Sequence, residues 1–517
     1  MNITLLIVRS VFIFLILPFW GINAQDIEDR IDFDDLEAYI ESSMQEWEIP
    51  GIALAMVKDG ELIYSKGFGI RDLQEGGEVD EHTLFAVASN SKAFTATALA
   101  MLVDQGNLSW KDKVKDYLPW FELYDPFVSN ECMIEDLLSH RVGLRTFSGD
   151  LLWYHTNYTS EEIVKRARYL EPTFSFRSGY GYSNIMYIAA GEVLEEITDT
   201  SWSDYIQYRI LNPLGMKRTN TSVKFLEDID NVASPHVQYQ GKQIVVPYLN
   251  WDNAAAAAAI NSSASDMSKW LIFQLNYGKI NQQQYVDPSK LWYLQTNHTL
   301  KTISQERKEL WPSTHFEGYG LGWSLFDYHG KKIVGHGGGS DGMISRVTLL
   351  PEENFGFVIL TNNINYLPPA LSYYILDDYF GSPEKDWSSV YMEFKKGRER
   401  EDESYWQHLK NNRVENTATT MKLEELTGIY TSKMYGDVEV GLENGSLMVN
   451  FEPAPDLSGI LSHWHYNTFI IELMNINTLP KGTVKFVTNE HNEPVEMKIY
   501  IPNPDFYFTE LKLFKQK

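Results

Sequence analysis

Cysteine is almost absent from this chain, because Cys132 is the only one among 517 residues. One cysteine cannot form an intrachain disulfide, and it cannot build a thiolate zinc site. The sequence also lacks an Asp-x-Asp-x-Asp-Gly calcium loop and the His, Asp and Glu spacing that is typical of a metal centre. We therefore predict no metal and no other cofactor.

Positive charge is also scarce, with 44 Lys and Arg residues against 70 Asp and Glu and a formal net charge of −26. A surface of this sign repels nucleic acid, so we exclude nucleic acid as a partner. Hydrophobic residues make up 44% of the chain. This supply is ample for large cores, and the length is too great for one simple domain.

Long apolar runs are limited to one, from Val11 to Trp20, which follows Arg9 and precedes the small residue Ala24. This arrangement predicts a signal peptide over residues 1–24, and the alternative is an uncleaved anchor. The mature chain would be secreted or periplasmic, with no membrane span. A eukaryotic secretory pathway could glycosylate its Asn-x-Ser/Thr sequons. The six sequons that follow residue 24 are Asn107, Asn157, Asn220, Asn261, Asn297 and Asn444.

Residues 25–384 show strand patterns near both ends and helical patterns between them. Two β-rich runs, Ile52–Val57 and Glu61–Tyr64, flank an Asp-Gly turn, and two late runs follow at 342–350 and 356–361. We predict an α+β domain in which an antiparallel sheet, closed by the two ends of the domain, is flanked by helices.

The remainder of the chain differs in character. Residues 385–421 contain the mixed charge run Lys395–Glu403, which predicts a solvated helical linker. Residues 422–517 change to a period of two, with a hairpin signal at Asn444-Gly445. Six or seven short strands indicate a small all-β domain, either a barrel or a sandwich. We expect this domain to be dispensable for the chemistry.

Ser89-Asn90-Ser91-Lys92 opens an apolar, Ala/Thr-rich run that is typical of a buried helix. Positions i and i+3 share one helical face, so the Ser89 hydroxyl and the Lys92 amine are predicted to lie side by side. An apolar setting lowers the pKa of a lysine, which can then help to deprotonate a serine nucleophile. The helix N-terminus adds partial positive charge where an oxyanion would form.

A Ser-x-x-Lys motif is weak when taken alone, because composition predicts about two chance matches in a chain of this length. A second copy occurs at Ser382–Lys385, in a polar, proline-containing stretch with no helix behind it. We therefore attach the chemistry to the Ser89 copy.

Two further clusters follow along the chain. In an extended Tyr182-Ser183-Asn184 segment, the first and third side chains would enter one cleft, where a tyrosine can shuttle protons and an asparagine can hold a carbonyl. In His336-Gly337-Gly338-Gly339 the glycines would let a ligand lie against backbone N–H groups. Taken alone, the first cluster could be ordinary packing, and the second a flexible turn with an incidental histidine.

The order Ser-x-x-Lys, Tyr-x-Asn, His-Gly-Gly resembles the motif trio of the serine β-lactamases and penicillin-binding proteins. The chain is similar to the class C β-lactamase-related branch, which also contains D-aminopeptidases, D-Ala-D-Ala carboxypeptidases and esterases. The implied fold is β-lactamase/transpeptidase-like over about 30–365, and the tail resembles a small β-domain often appended to such hydrolases. Other segments that carry the resemblance are Leu84–Ser89, Ile134–Leu144, Asn212–Met216, Ser265–Trp270 and Tyr319–Trp323.

The resemblance implies a catalytic role for three residues. Ser89 would be the acylated nucleophile and Lys92 its activator. Tyr182 would act as general base and then as the acid that protonates the leaving group. Backbone N–H groups of Ser89 and Gly339 would form the oxyanion hole.

The resemblance also implies that Asn184, His336, Gly338 and Gly339 bind the substrate. His336 stands where the family has lysine, and a histidine is mostly neutral at pH 7. Substrates that are held by a carboxylate, such as β-lactams and free C-terminal D-alanine, are therefore disfavoured relative to other esters and amides. A second departure is the run Ala254–Ala259, where relatives usually have glycine; it either narrows the pocket or stabilises a helix.

The sequence thus predicts a secreted serine hydrolase that cleaves an ester, amide or peptide bond through a Ser89 acyl-enzyme. Its partner would be a small-molecule or peptide acyl substrate. The alternative is a non-catalytic acidic extracellular protein, of matrix type, that keeps the fold.

Overall fold

The computed structural model describes residues 30–382 and 385–517. The predicted signal peptide over 1–24 lies outside these residues, as do two positions of the second Ser-x-x-Lys copy. Fifteen strands lie before residue 362 in the described part. In chain order they are β1 (Gly51–Lys58), β2 (Glu61–Asp72), β3 (Gly76–Glu78), β4 (Phe85–Ala86), β5 (His236–Tyr239), β6 (Lys242–Val245), β7 (Asn261–Ser262), β8 (Lys279–Ile280), β9 (Gln283–Gln284), β10 (Thr299–Lys301), β11 (Glu317–Tyr319), β12 (Ser324–Tyr328), β13 (Lys331–Ser340), β14 (Met343–Leu350) and β15 (Phe355–Thr361).

Nine of these strands form one antiparallel sheet in the order β10-β11-β12-β13-β14-β15-β1-β2-β3. β1 pairs with β15, with Ile52 opposite Thr361, so the early and late strands join at the centre of the sheet. Every residue of β1 is buried, because helices cover both faces of the sheet. The predicted α+β class, with an antiparallel sheet closed by the two ends of the domain, is confirmed.

The helices lie on both sides of this sheet. One face packs against the buried helix that begins at Ser91, and the other packs against the first and last helices of the domain. The helices are α1 (Phe33–Trp47), α2 (Ser91–Asp104), α3 (Val114–Tyr117), α4 (Pro126–Glu131), α5 (Ile134–Leu138), α6 (Ser160–Arg166), α7 (Asn184–Thr198), α8 (Trp202–Ile206), α9 (Asn212–Leu214), α10 (Ala255–Ala258), α11 (Ala264–Leu275), α12 (Pro288–Leu294), α13 (Gln305–Leu310), α14 (Leu367–Phe380), α15 (Trp387–Asn411) and α16 (Leu423–Leu426).

The C-terminal residues form a closed eight-stranded antiparallel barrel, which settles the choice between barrel and sandwich. Closure leaves no free sheet edge, since the last strand pairs with the first at Tyr430 and Lys515. The 25-residue α15, which carries the mixed charge run, precedes it. The barrel strands are β16 (Gly428–Ser432), β17 (Gly436–Glu443), β18 (Ser446–Phe451), β19 (Gly459–His465), β20 (Thr468–Leu473), β21 (Gly482–Thr488), β22 (Pro494–Tyr500) and β23 (Leu513–Lys515).

The barrel packs directly on the first domain, and buried apolar residues of both form one continuous core cluster. The Tyr158 hydroxyl donates to the Tyr435 carbonyl at 2.5 Å, and the Arg166 guanidinium donates to the Met434 carbonyl at 2.8 Å. The ring of Phe506 lies 4.0 Å from that of Tyr154. This interface places a barrel loop beside the cavity described below.

Two of the six sequons are buried. Asn220 and Asn261 are 7% and 1% exposed, and the Asn261 side-chain amide donates to the Asn220 side-chain oxygen at 3.0 Å. Neither side chain can accept a glycan in the folded protein, whereas the other four sequon asparagines are exposed. Cys132 is buried and unpaired. Within 30–382 and 385–517, no helix is both long and apolar enough to cross a bilayer.

Candidate active site

Ser89 lies in a short 3₁₀ turn, Ala88–Asn90, that leads directly into α2. Ala88 has a φ of 45°, a left-handed conformation that alanine rarely adopts. Hydrogen bonds to β14 hold this turn: the Asn90 amide donates to the Ser345 hydroxyl at 2.8 Å, and Ser345 donates to the Val87 carbonyl at 2.7 Å. The strained turn therefore presents the Ser89 hydroxyl to a cavity while the residues around it stay buried.

Lys92 is fully buried one helical turn further on. Its amine nitrogen Nζ lies 3.1 Å from Ser89 Oγ, 2.6 Å from Asn184 Oδ1 and 3.0 Å from the Ala257 carbonyl oxygen. The last two groups can only accept, so they take two N–H hydrogens of the amine. In a neutral lysine the lone pair is then left to face the Ser89 hydroxyl. Burial lowers the pKa of Lys92 to about 7, an effect opposed by the charge of Asp150.

Asp150 ends this chain of hydrogen bonds, and no sequence motif pointed to it. The Asn184 amide donates to Asp150 Oδ2 at 2.6 Å, which fixes the asparagine with its oxygen toward Lys92. Burial raises the pKa of Asp150 to about 8. The preceding Gly149 has a φ of 78°, which lets the backbone turn the carboxyl inward. The arrangement couples a buried carboxyl to the amine through one amide.

Tyr182 stands over the lysine, with Lys92 Nζ 4.8 Å from the centre of its ring. Burial raises the pKa of Tyr182 well above its usual range, an effect opposed by its hydrogen bond with Ser89. His140 supports this segment: its ring lies 4.3 Å from that of Tyr182, and its Nδ1 accepts from the Ser183 N–H at 3.0 Å. His140 belongs to the segment 134–144 that carried the family resemblance, although sequence analysis gave the histidine no role.

His336 lies on β13 beside the same cavity and is held as a neutral ring. Its Nδ1 donates to the Gly337 carbonyl at 2.6 Å, so its Nε2 accepts from the Tyr319 hydroxyl at 2.8 Å. Burial lowers the pKa of His336 to about 3, and nearby Lys92 contributes to the shift. At neutral pH this position therefore offers no positive charge to a substrate.

Gly338 and Gly339 differ in what surrounds them. A Cβ on Gly338 would lie 2.2 Å from the Val87 carbonyl oxygen and 3.1 Å from the Ser89 nitrogen, so only glycine lets β13 approach the nucleophile turn. Gly339 lines the cavity, and a Cβ there would meet its nearest neighbour, Ile344, at 3.5 Å. Of the two glycines predicted to bind substrate, Gly339 faces the cavity and Gly338 is a packing position.

The alanine run contributes carbonyl oxygens to the site. The short α10 places the Ala257 carbonyl on Lys92, and the Ala256 carbonyl accepts from the Thr95 hydroxyl at 2.7 Å. None of Ala254–Ala259 lines the cavity. The run is thus a helical support for α2, which decides between the two roles that the sequence left open.

The cavity in front of Ser89 has a volume of about 480 Å³. It brings together the predicted Ser89, Tyr182, Asn184, His336 and Gly339, while Lys92 lies behind them. Gly337 of the glycine cluster and residues that sequence analysis missed complete the walls. They are Thr146, Phe147, Asp150, Trp153, Tyr180, Leu249, Trp251, Ser324, Gly337, Ser340, Asp341, Ile344, Ile364, Asp505 and Phe506.

The barrel reaches the cavity directly, which the sequence did not anticipate. Asp505 and Phe506 come from the loop after β22. The barrel residue Glu510 also holds the loop before Asp150, because its carboxylate accepts from the Gly149 N–H and the Ser148 hydroxyl, both at 2.8 Å. The barrel thus forms part of the cavity wall, and our expectation that it is dispensable for the chemistry stays a prediction.

Within the described residues, no group of three or more His, Cys, Asp or Glu side chains is placed to hold a metal ion. The polar groups at the base of the cavity are a hydroxyl, an amine, a phenol and an amide. They suit proton transfer to and from a serine, as the chemistry of an acyl-enzyme requires.

Comparisons with known proteins agree with this geometry. The family model Beta-lactamase matches residues 36–372, and a domain of unknown function, DUF3471, matches 412–515. The protein "Unguisins hydrolase ungD" of Aspergillus violaceofuscus is 28% identical over 387 residues, covering 69% of this chain and 67% of its own. The protein "Protein flp" of Staphylococcus aureus strain N315 is 28% identical over 357 residues, covering 65% of each chain.

A solved structure is similar in fold over most of the chain, including the barrel. The octameric penicillin-binding protein homologue from Pyrococcus abyssi has a TM-score of 0.62 and 22% identity, covering 94% of this chain and all of its own. At that identity the likeness shows the fold, a β-lactamase-type domain followed by a barrel. Since the family match spans well over half of the sequence, the chain belongs to the Beta-lactamase family, which generally consists of serine hydrolases.

Proposed function

We propose that this protein hydrolyses an ester or amide bond through a covalent acyl-enzyme on Ser89. The observation that carries the proposal is the 3.1 Å contact between Lys92 Nζ and Ser89 Oγ, made by an amine whose pKa burial lowers to about 7. At this pKa about half of the lysine is neutral at neutral pH, and only the neutral amine can accept the serine proton.

Acylation then follows from the positions of the groups. Ser89 Oγ attacks the substrate carbonyl carbon while its proton passes to Lys92, and the backbone N–H groups of Ser89 and Gly339 hold the developing oxyanion. The raised pKa of Tyr182 keeps its phenol protonated, which suits a proton donor to the leaving group. Lys92 returns a proton to the phenol, and water hydrolyses the acyl-enzyme by the reverse transfers. We assign the base to Lys92 and the relay to Tyr182.

The neutral ring of His336 supports acyl donors without a carboxylate at this position. A lysine there would offer a permanent charge, whereas the histidine offers only hydrogen bonds. We therefore place esters and amides of this kind above β-lactams as substrates. The hydrolase name of the Aspergillus relative supports the same general chemistry.

A fluorophosphonate probe tests the proposal, because it reacts only with an activated serine. We expect one adduct on the wild-type protein and none on Ser89→Ala, as read by intact-protein mass spectrometry. Ser382→Ala is the matched control, since it removes the serine of the second Ser-x-x-Lys copy, and it should label like wild type. A folded wild-type protein that takes no label would favour the non-catalytic alternative.

We also propose that the mature chain is exported, on the basis of the charged and apolar pattern of residues 1–24. Expression in the native host should then place the protein outside the cytoplasm with a new N-terminus near Gln25. Mass spectrometry of the N-terminal peptide reads this directly. A cytoplasmic protein that begins at residue 1 would contradict export.

A further inference from the structure

Acidic and aromatic side chains from both domains line one part of the cavity. Asp341 lies in the turn between β13 and β14, and Asp505 comes from the barrel loop. The cavity lining contains no lysine or arginine. In the described part of the chain, neither Asp341 nor Asp505 is in an ion pair. The surface that a substrate meets therefore has negative charge without a fixed positive counterpart.

The contacts of Asp341 leave one carboxylate oxygen free for a ligand. Its Oδ2 accepts from the Tyr154 hydroxyl at 2.8 Å and from the barrel residue Thr478 at 3.1 Å. These two bonds fix the orientation of the carboxylate, and no hydrogen bond to Oδ1 comes from the described residues. Burial raises the pKa of Asp341, an effect opposed by the Tyr154 hydroxyl, by nearby His155, which pairs with Asp456, and by the Thr478 hydroxyl. A cation bound at Oδ1 would relieve the cost of burying this charge.

Asp505 lines the cavity and is exposed to solvent. Its carboxylate accepts no hydrogen bond from the described residues. Partial burial raises the pKa of Asp505, and the positive charge of Arg398 opposes that shift. Arg398 does not line the cavity. The carboxylate is therefore available to a ligand that enters past the barrel.

Three aromatic side chains, Trp153, Trp251 and Phe506, line the same cavity as the two carboxylates. Trp153 and Trp251 are stacked with their ring centres 4.2 Å apart, and the barrel residue Phe506 lies 5.7 Å from Trp153. Aromatic faces attract organic cations, most strongly where water is excluded. Rings together with unpaired carboxylates form the chemical environment that recognises an ammonium group.

We propose that the natural substrate carries a positively charged ammonium group, which the wall of Asp341, Asp505, Trp153, Trp251 and Phe506 binds while Ser89 attacks the scissile carbonyl. This inference rests on the proposed acyl-enzyme function for the position of the carbonyl. It assigns the barrel a task in substrate selection. It also explains why a neutral histidine suffices at position 336, since no substrate carboxylate needs to be held there.

Three 4-nitrophenyl esters of matched length test the substrate charge. Their acyl groups are 4-(trimethylammonio)butanoyl, its uncharged carbon isostere 5,5-dimethylhexanoyl, and the anionic glutaryl group. We expect kcat/KM for the cationic ester to exceed that of the isostere by about 10-fold or more, and the anionic ester to be the poorest. The ratio of cationic to uncharged ester should fall about 10-fold in Asp505→Asn.

Glu490→Gln is the matched control, because it removes one barrel carboxylate that is exposed in the hairpin between β21 and β22 and does not line the cavity. This variant should keep both the basal activity and the charge preference. Asp341→Asn should lose the preference as Asp505→Asn does. Should Asp341→Asn fail to fold, the exposed Asp505 variant still decides the question.

Calorimetric binding of the two corresponding amides, 4-(trimethylammonio)butanamide and 5,5-dimethylhexanamide, separates this inference from the catalytic one. Tighter binding of the cationic amide, lost in Asp505→Asn, supports the charged wall even if no ester is hydrolysed. Equal binding of the two amides, or hydrolysis with no charge preference, overturns the ammonium proposal and leaves the acyl-enzyme untouched. Absence of both hydrolysis and fluorophosphonate labelling overturns the catalytic proposal alone.

Discussion

The base and the wall of the cavity are built in different ways. The base consists of Ser89, Lys92, Tyr182 and Asn184, which come from two short motifs at the starts of two helices. Hydrogen bonds of 2.6–3.1 Å join Lys92 to Ser89 and to Asn184. The wall consists of single residues from separate loops, including Asp341 and the barrel residue Asp505. Under the two proposals, short motifs position the reacting groups, whereas contacts between the domains set the substrate preference.

Replacement of Lys92 by alanine should have the largest effect, because it removes the base and leaves the other groups in place. We expect acylation of Ser89 to slow by at least ~10²-fold, the usual contribution of a positioned proton acceptor. Stopped-flow release of 4-nitrophenol at pH 8 measures this rate. Near-normal turnover would show that Lys92 is not the proton acceptor for Ser89.

Asp150→Asn tests whether the carboxyl at the end of the hydrogen-bond chain acts on Lys92. Asp150 and Lys92 are coupled, because the charge of each opposes the effect of burial on the pKa of the other. Asp150→Asn removes this coupling and should move the acidic limb of the pH–rate profile to lower pH. One weakened charge-assisted hydrogen bond, worth about 1.5 kcal/mol, should slow acylation about 10-fold. The pH–rate profiles of the wild type and Asp150→Asn are compared between pH 5 and 9. If the acidic limb lies at the same pH in both, Asp150 has only a structural role.

The glycine pair on β13 separates packing from access to the cavity. Gly338→Ala would place a Cβ 2.2 Å from a backbone oxygen, so we expect a loss of about 1–3 kcal/mol in the free energy of unfolding. In Gly339→Ala the new Cβ would have its nearest neighbour at 3.5 Å. The free energy of unfolding of this variant should therefore lie within about 0.5 kcal/mol of the wild-type value. Urea denaturation compares the two, and equal stabilities would contradict the role of Gly338 as a close-packing position.

Glu510→Gln tests the barrel contact behind Asp150. The Glu510 carboxylate accepts from two groups of the first domain and pairs with Arg145 at 3.0 Å, although the arginine is 37% exposed. After allowance for solvent screening we expect a loss of about 1 kcal/mol in stability. Glu472→Gln, which breaks an exposed pair with Lys481 on the barrel alone, should change stability by less than about 0.5 kcal/mol.

The sequence predicted what depends on short-range geometry. Residues three apart on a helix share a face, so the contact between Ser89 and Lys92 followed from their spacing. The alternating patterns of the tail predicted an all-β unit, and the early and late strand runs predicted one sheet. These features need no knowledge of how distant segments meet.

The remaining site residues depend on contacts between distant segments, which spacing does not encode. Asp150 reaches Asn184 across 34 positions, and Glu510 reaches Gly149 across 361. Asp505 and Phe506 enter the cavity only because the barrel docks beside it. The single available signal was indirect: His140 lay in a segment that resembled the family, yet its support of Tyr182 is visible only in the fold.

The pH dependence of fluorophosphonate labelling tests the central claim most directly, because it reports the state of the base without an assumption about the substrate. Neutral Lys92 is the active form, so the labelling rate should rise with pH to a plateau, with a midpoint near the pKa of about 7. In Lys92→Ala this rise should disappear and the residual rate should be low. A wild-type midpoint that persists unchanged in Lys92→Ala would contradict the account.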